Sequence, residues 1–347
     1  MKKTKGHQRS QDLRLLPGKL PLNILDRLLK RYTSPDSRVV IGPSIGIDAA
    51  VIRFGGSYLI AKTDPITFVA RDIGLYAINI NANDIAVMGG KPRWFLATIL
   101  LPEEGATDRM AEDIFSQLSR ACREIGVTLC GGHTEITFGI DRPIVIGQML
   151  GEVKKDKLVT AAGARIGDDV ILTKGIAIEG TSIMARKMGK ELKGRFSDSF
   201  IRRCIGFTKK PGISVLKDAD IAVKKGGIHA MHDPTEGGLA TGLHELAMAS
   251  DVGAVVDKDA ITILPECIKF CNYFGLDPLG LIASGALIIT LDPEHTGRVL
   301  RGLDRGGIKS SVIGKVVSRR NGIRLLEDGK KRVLKPFDRD EITKIIS

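Results

Sequence analysis

The chain has 347 residues, 43% of them hydrophobic and 27% charged, with 40 glycines and a formal net charge of +12. This mixture excludes a disordered or fibrous protein, and the length exceeds what one hydrophobic core usually spans, so two α/β (or α+β) domains are expected. The start, MKKTKGHQRSQDLRLL, lacks the apolar core of a signal peptide. No later run approaches the roughly 20 apolar residues that a bilayer requires, so a cytoplasmic protein without a membrane span is expected.

After the basic start, PLNILDRLLKRY places Leu25, Leu28, Leu29 and Tyr32 on one face of a helix entered at Pro21. Strands are expected around Val39 to Ile41, over Ala49 to Phe54 and through SYLIAKTD, then a helix from about Asp72 to Met88 and a strand in RWFLATILLP. Met110, Ile114, Leu118, Ala121 and Ile125 share a face between Thr107 and Gly126, the clearest helix in the chain. VTLC is a short strand that runs into a glycine turn, GGHTE, and PIVIGQMLGEV closes the first half as a long strand. The polar stretch over 154–166 marks a boundary. The expected organisation is a tail and amphipathic helix over 1–36, a first domain over 37–155 and a second over 163–347. In the second, VILTK, GAVVD, ASGALIITL and SSVIGKVV read as strands, with helices near 179–190, 236–249 and 293–303.

The five cysteines form no C-x-x-C pair. Cys267 and Cys271 are spaced for one helix face, but no nearby His or third Cys completes a metal set, so they read as reduced, buried thiols. The positive residues are scattered, and aromatic residues make up only 5% without interleaving among them. That argues against nucleic acid and for a surface that attracts phosphate-bearing ligands.

Four acidic residues stand at strand ends or on glycine-bordered segments: Asp48 in VVIGPSIGIDAAVI, Asp64 in LIAKTDPIT, Asp84 beside Asn83 in INANDIAVMGGKP, and Glu135 in LCGGHTEIT. Each alone reads as a turn cap or a solvated charge. Together they match what a magnesium-nucleotide site needs, because hard cations take oxygen ligands and glycine turns let backbone N–H groups approach phosphates. Neither a Walker-type loop nor a kinase-type glycine loop is present. His229 and His244 read as structural.

GIDAAVI, KTDPIT, NANDIAVMGGKPRWFLATILLP, GGHTE, GARIGDDVILTKGIAIEGTSIMA and HDPTEGGLATGLHELA occur in the order seen in the AIR synthase (PurM-like) superfamily, and most resemble its HypE hydrogenase-maturation branch. The resemblance extends from about Gly18 to about Lys335. It implies a two-domain PurM-like fold whose N-terminal sheet pairs across a homodimer, with ATP and Mg²⁺ bound between the domains. By position, Asp48, Asp64 and Asp84 match metal carboxylates with Asn83 beside them, and Gly131, Gly132 and Thr134 match a phosphate turn. Asp233, Gly237 and Gly238 match the second domain's anion-binding helix start, with Lys174 and Glu179 as further cleft candidates. Asp84, Asp64, Glu135 and His232 are the candidates for catalysis.

The sequence departs from the family at Ile47, where relatives carry a second acid, at His133, where a carboxylate is usual, and at His232, where arginine is usual. The family logic is phosphorylation of an amide or carbonyl oxygen by ATP. A small-molecule kinase resembling thiamine-monophosphate kinase and a nucleotide-binding regulator without turnover are the alternatives. The HypE branch acts on a cysteine at its own C-terminus, whereas this sequence closes with PFDRDEITKIIS. Either a separate small-molecule or protein-borne amide substrate or divergence from hydrogenase maturation is therefore expected, with hydrogenase-maturation proteins as candidate partners and no self-modification.

Overall fold

The computed structural model describes Leu15, residues 18–67 and residues 69–346; the basic run expected as a tail, residues 1–9, lies outside them. The first half contains α1 (Leu22–Tyr32), β1 (Val39–Ile41), β2 (Ala50–Phe54), β3 (Ser57–Ile66), α2 (Ile73–Val87), β4 (Lys91–Pro102), α3 (Asp108–Ile125), β5 (Thr128–Thr137) and β6 (Ile144–Val153). The second begins with β7 (Asp169–Thr173), α4 (Ile178–Lys187), α5 (Gly189–Leu192), α6 (Asp198–Ile205), α7 (Leu216–Lys225) and β8 (Ile228–His232). It continues through α8 (Gly238–Ser250), β9 (Val252–Asp257), α9 (Pro265–Phe274), β10 (Ile288–Leu291), α10 (Pro293–Arg305), β11 (Ser310–Ser318), β12 (Ile323–Glu327) and β13 (Lys330–Val333).

The strands form two sheets, one per half. The six-stranded sheet has the order β1-β2-β3-β6-β4-β5 and the seven-stranded sheet β13-β12-β9-β11-β7-β10-β8. Both are mixed, with β4 and β5 parallel in the first and β9 and β12 parallel in the second. This is the two-sheet α/β architecture expected from the interleaved strands and helices. Among the described residues no helix is long and apolar enough to cross a membrane.

Helix α3 follows its sequence signals closely. The Thr107 hydroxyl accepts a hydrogen bond from the Met110 amide at 3.1 Å, and Gly126 ends the helix at φ +71°. Helix α2 has no amphipathic pattern, and all its residues but Leu75 are buried. A helix apolar on every side has to be covered on every side. The first sheet covers one side of α2; α3, together with α7 and the 213–215 segment of the second half, covers the rest.

One expectation about the sheet is corrected. GGHTE is the middle of β5, with Gly131 opposite Leu96 and Gly132 opposite Ala97 in the parallel ladder, and forms no turn. Gly132 adopts φ +147°, and a Cβ there would lie 2.0 Å from the Ala97 carbonyl oxygen. Close strand approach is thus what these glycines permit. Within the first sheet, which the resemblance implies pairs across a homodimer, β2 and β3 each have a neighbour on both sides. The open edges are β1 and β5.

Asn83 joins the two halves. Its side-chain amide donates to the Ile213 carbonyl at 2.9 Å and its oxygen accepts from the Val215 amide at 2.9 Å, both in buried surroundings. Asn83→Ala should leave two buried backbone groups without partners and destabilise the fold by about 3 kcal/mol, which a urea denaturation curve would read.

Candidate active site

Three carboxylates meet where the two halves touch. Asp48 stands on the loop between β1 and β2, Asp84 lies near the end of α2, and Asp233 directly follows β8. One oxygen from each lies within 4.8 Å of the others. The loop that carries Asp48 runs close against α8, since a Cβ on Gly46 (φ +74°) would lie 2.3 Å from the Glu245 carbonyl oxygen. Only glycine fits there.

Two cations hold this acidic centre together. Lys62 on β3 places its ammonium 3.3 Å from Asp84 Oδ2 and 3.4 Å from Asp64 Oδ2. Burial works to lower the Lys62 pKa, but Asp84, Asp64, Asp48 and Asp233 outweigh it and hold the ammonium well above its ordinary value. His232, at the end of β8, is buried between Asp48 (Nδ1, 3.2 Å) and Glu245 on α8 (Nε2, 3.0 Å). Burial disfavours the imidazolium, yet the two carboxylates raise its pKa well above the usual value. Glu245 is held down at about 2 against its own burial by Lys19 and His232. Lys19 reaches it at 3.4 Å.

His232 was a catalytic candidate from the sequence, but both its ring nitrogens donate to carboxylates, so neither can take a proton from a substrate. It fixes Asp48. Asp64 stands one step back from the three-carboxylate group, paired with Lys62. Glu135 and His133 face each other at 3.2 Å on the exposed edge strand β5, apart from that group. Thr134 lies between them and lines a small apolar cavity with Gly131 and Gly132. Both ends of the Asn83 amide are taken by backbone. Lys174 binds the Ser214 carbonyl at 2.6 Å and Asp218 at 3.3 Å, and lines a separate cavity that none of the three aspartates reaches.

The start of α8 is already occupied. The Gly237 amide donates to Asp340 Oδ2 at 2.8 Å, so the chain's own carboxylate sits where the sequence suggested an external anion. Gly238 packs against the Leu279 and Leu281 carbonyls, and its amide donates to Thr235. His229 and His244 are structural as expected, bonded to Asp168 and to the Leu334 carbonyl. Cys267 and Cys271 are buried with sulfurs 3.7 Å apart, while Cys130 on β5 is exposed.

Sequence reasoning missed Lys62, Glu245 and Lys19. Lys62 has a legible signal, since it lies two residues before Asp64 in a strand and therefore on the same face. Glu245 is a lone acid on an otherwise apolar helix, and nothing local connects it with His232.

The donor set fits a hard divalent cation such as Mg²⁺, which takes oxygen ligands. Both oxygens of Asp233 are buried without hydrogen-bond partners, and so is Asp84 Oδ2, which Lys62 approaches without hydrogen-bond alignment. Burial pushes the Asp84 carboxyl well above its ordinary range and Asp233 up to about 7. Glu179 on α4 is also buried; burial first, then the charges of Asp340, Glu236 and Asp233, raise it to about 7.

A two-sheet α/β protein with a carboxylate centre shared between its halves is the class that fold and site define. Residues 46–153 match the family model of the AIR synthase related protein N-terminal domain, and residues 165–326 that of the C-terminal domain. The carbamoyl dehydratase HypE of Cupriavidus necator is 31% identical over 279 residues, covering 78% of this chain and 76% of that protein. A protein of Methanocaldococcus jannaschii named for hydrogenase expression/formation is 28% identical over 309 residues, 86% of this chain and 88% of its own length. The crystal structure of a hydrogenase maturation protein HypE in complex with ATP superposes with a TM-score of 0.69 at 24% identity, covering 91% of both chains. The chain belongs to the AIR synthase related family of enzymes, in its HypE-like part.

Asp340 offers a test of the occupied helix start. Burial raises its carboxyl to about 6 although the amides of Ile342, Gly237 and Ile282 pull it down. Its pKa is higher in the folded than in the unfolded chain, so the native state binds the extra proton between pH 4 and 6. Stability should therefore fall as pH rises through that window, by up to about 3 kcal/mol. Denaturation of wild type and Asp340→Asn across pH 4 to 7 should show a slope that is shallower in the variant by up to one proton, the remainder coming from Asp84, Asp233 and Glu179.

Proposed function

We propose that the chain is a HypE-like, ATP- and Mg²⁺-dependent enzyme that activates an amide oxygen by phosphorylation and then eliminates the phosphate. The observation that carries this reading is the convergence of Asp48, Asp84 and Asp233 from both halves around Lys62. The names of the relatives support the reaction class. In balanced form, the amide oxygen attacks the terminal phosphorus of ATP and ADP leaves. Loss of phosphate, with protons from the amide nitrogen, then yields a carbon–nitrogen multiple bond.

Asp48, Asp84 and Asp233 would hold the Mg²⁺, which when bound neutralises charge on the phosphate oxygens. Lys62 supplies a fixed positive charge beside the same centre. His232 holds Asp48 in place. Glu179, a cleft candidate from the sequence, is buried with Oε2 unpartnered.

The assembly belongs to the same reading. Two domains built on the two sheets, in a cytoplasmic protein, would pair as a homodimer through the uncovered side of the first sheet, where Ile136 and Phe138 are exposed next to the open edge of β5. Hydrogenase-maturation proteins are the partners this reading suggests.

The test is incubation with ATP, Mg²⁺ and a panel of carboxamides, with phosphate assayed and products weighed by mass spectrometry. The expected result is amide-dependent phosphate release with a product lighter by one water. A product that keeps the phosphate would replace this reading with a small-molecule kinase, and ATP binding without turnover would replace it with a regulator. Asp48→Asn and Asp233→Asn should each lower turnover by about 100-fold, as when one stabilising group is removed from a water-poor site. Asp64→Asn should cost less, since Lys62 retains Asp84.

A further inference from the structure

A cavity of about 870 Å³ opens between the two halves, and none of the three aspartates lines it. Its walls come from α2 and α3 on one side and from the 208–218 segment and the turn before β11 on the other. Six cations face it: Arg120, Lys174, Lys209, Lys210, Lys217 and Lys309. Of its three acids, Asp218 is taken by Lys174 at 3.3 Å and Asp72 by Arg186 at 2.8 Å. That leaves five cations against Glu124 alone, and among the described residues none of the five makes an ion pair. Like charges converging on a concave, partly apolar space raise the local potential and concentrate anions there.

The cavity is a built feature of the fold as well as a basic surface. Lys174, Asp218, Asn79 and Thr208 are polar residues on its walls with little exposure, and Lys174 is held at φ +57° in the left-handed region, which is costly for a residue with a side chain. Leu75, Ile125, Pro211 and Leu264 supply apolar wall. We infer that this cavity binds a small anionic molecule with more than one negative group, of the phosphorylated-metabolite class, between the two halves of the chain. Its phosphates would lie among Lys209, Lys210, Lys217, Lys309 and Arg120, and its apolar part against Leu75 and Leu264.

The position has a consequence for the neighbouring site. The segment that carries Lys209, Lys210 and Ser214 is the one Asn83 holds through Ile213 and Val215, and Asn83 adjoins Asp84 in α2. A ligand bridging that segment to α2 and α3 would tighten the seam on which the carboxylates meet. The inference does not depend on the reaction assigned to them.

The test uses inorganic tripolyphosphate as probe, with the full chain free of divalent cations, by isothermal titration calorimetry. Saturable 1:1 binding is expected, weakened by about tenfold or more in the double variant Lys210→Glu/Lys217→Glu and retained in Asp233→Asn. Both lysines are exposed, and an unchanged melting temperature checks that the variant is folded; Lys209→Glu/Lys309→Glu is the second pair. No saturable binding would overturn the inference, as would binding that both lysine pairs leave intact or that Asp233→Asn abolishes. Binding of a polyglutamate peptide about tenfold tighter than tripolyphosphate would overturn it in favour of an acidic partner segment.

Discussion

The architecture depends on keeping four carboxylates, Asp48, Asp84, Asp233 and Glu245, in a seam with little water. Buried charges of one sign repel strongly and lose their hydration, so such a group persists only when cations are interleaved with it. Lys62 and His232 do this from opposite sides, one from the first sheet and one from the second. Neither half contains the full set. The lysine and two of the acids come from the first half, while the histidine and the other two acids come from the second. The interleaving of charges therefore exists only when the halves are docked.

Backbone geometry decides where the charges stand. Gly46 lets the Asp48 loop run against the Glu245 carbonyl, and the docking of Ile213 and Val215 on Asn83 fixes the helix that carries Asp84. Asp233 follows the last residue of β8, one position beyond His232, so the ion pairs that anchor the histidine also position the aspartate. The unpartnered oxygens of Asp233 and the raised pKa values of Asp84 and Asp233 belong to one situation, in which more negative charge is gathered than the protein's own cations neutralise. A divalent cation would supply the difference.

Elsewhere the chain uses its own groups where its sequence pattern suggested a ligand. Asp340 takes the amide at the start of α8, Lys174 turns to Ser214 and Asp218, and both ends of Asn83 bind backbone. The glycine pair in β5 serves strand approach. Residue type and spacing were compatible with phosphate binding at each position, but hydrogen-bonding groups are satisfied by whatever the fold brings nearest.

The sequence by itself determined the two-sheet α/β class and the helices α1 and α3 with their boundaries, and it singled out Asp48 and Asp84, which the fold brings together. It could do so because hydrophobic periodicity, capping residues and glycine punctuation act over a few neighbouring residues. Several elements of the second half, α6, α7, β8, β12 and β13, are short and were not anticipated. Only the tertiary structure decided that Asp233 joins Asp48 and Asp84, and that His232 is locked between Asp48, 184 positions away, and Glu245. Which groups meet across the seam is set by the docking of two independently built sheets, and that geometry leaves no mark on the spacing of residues along either one.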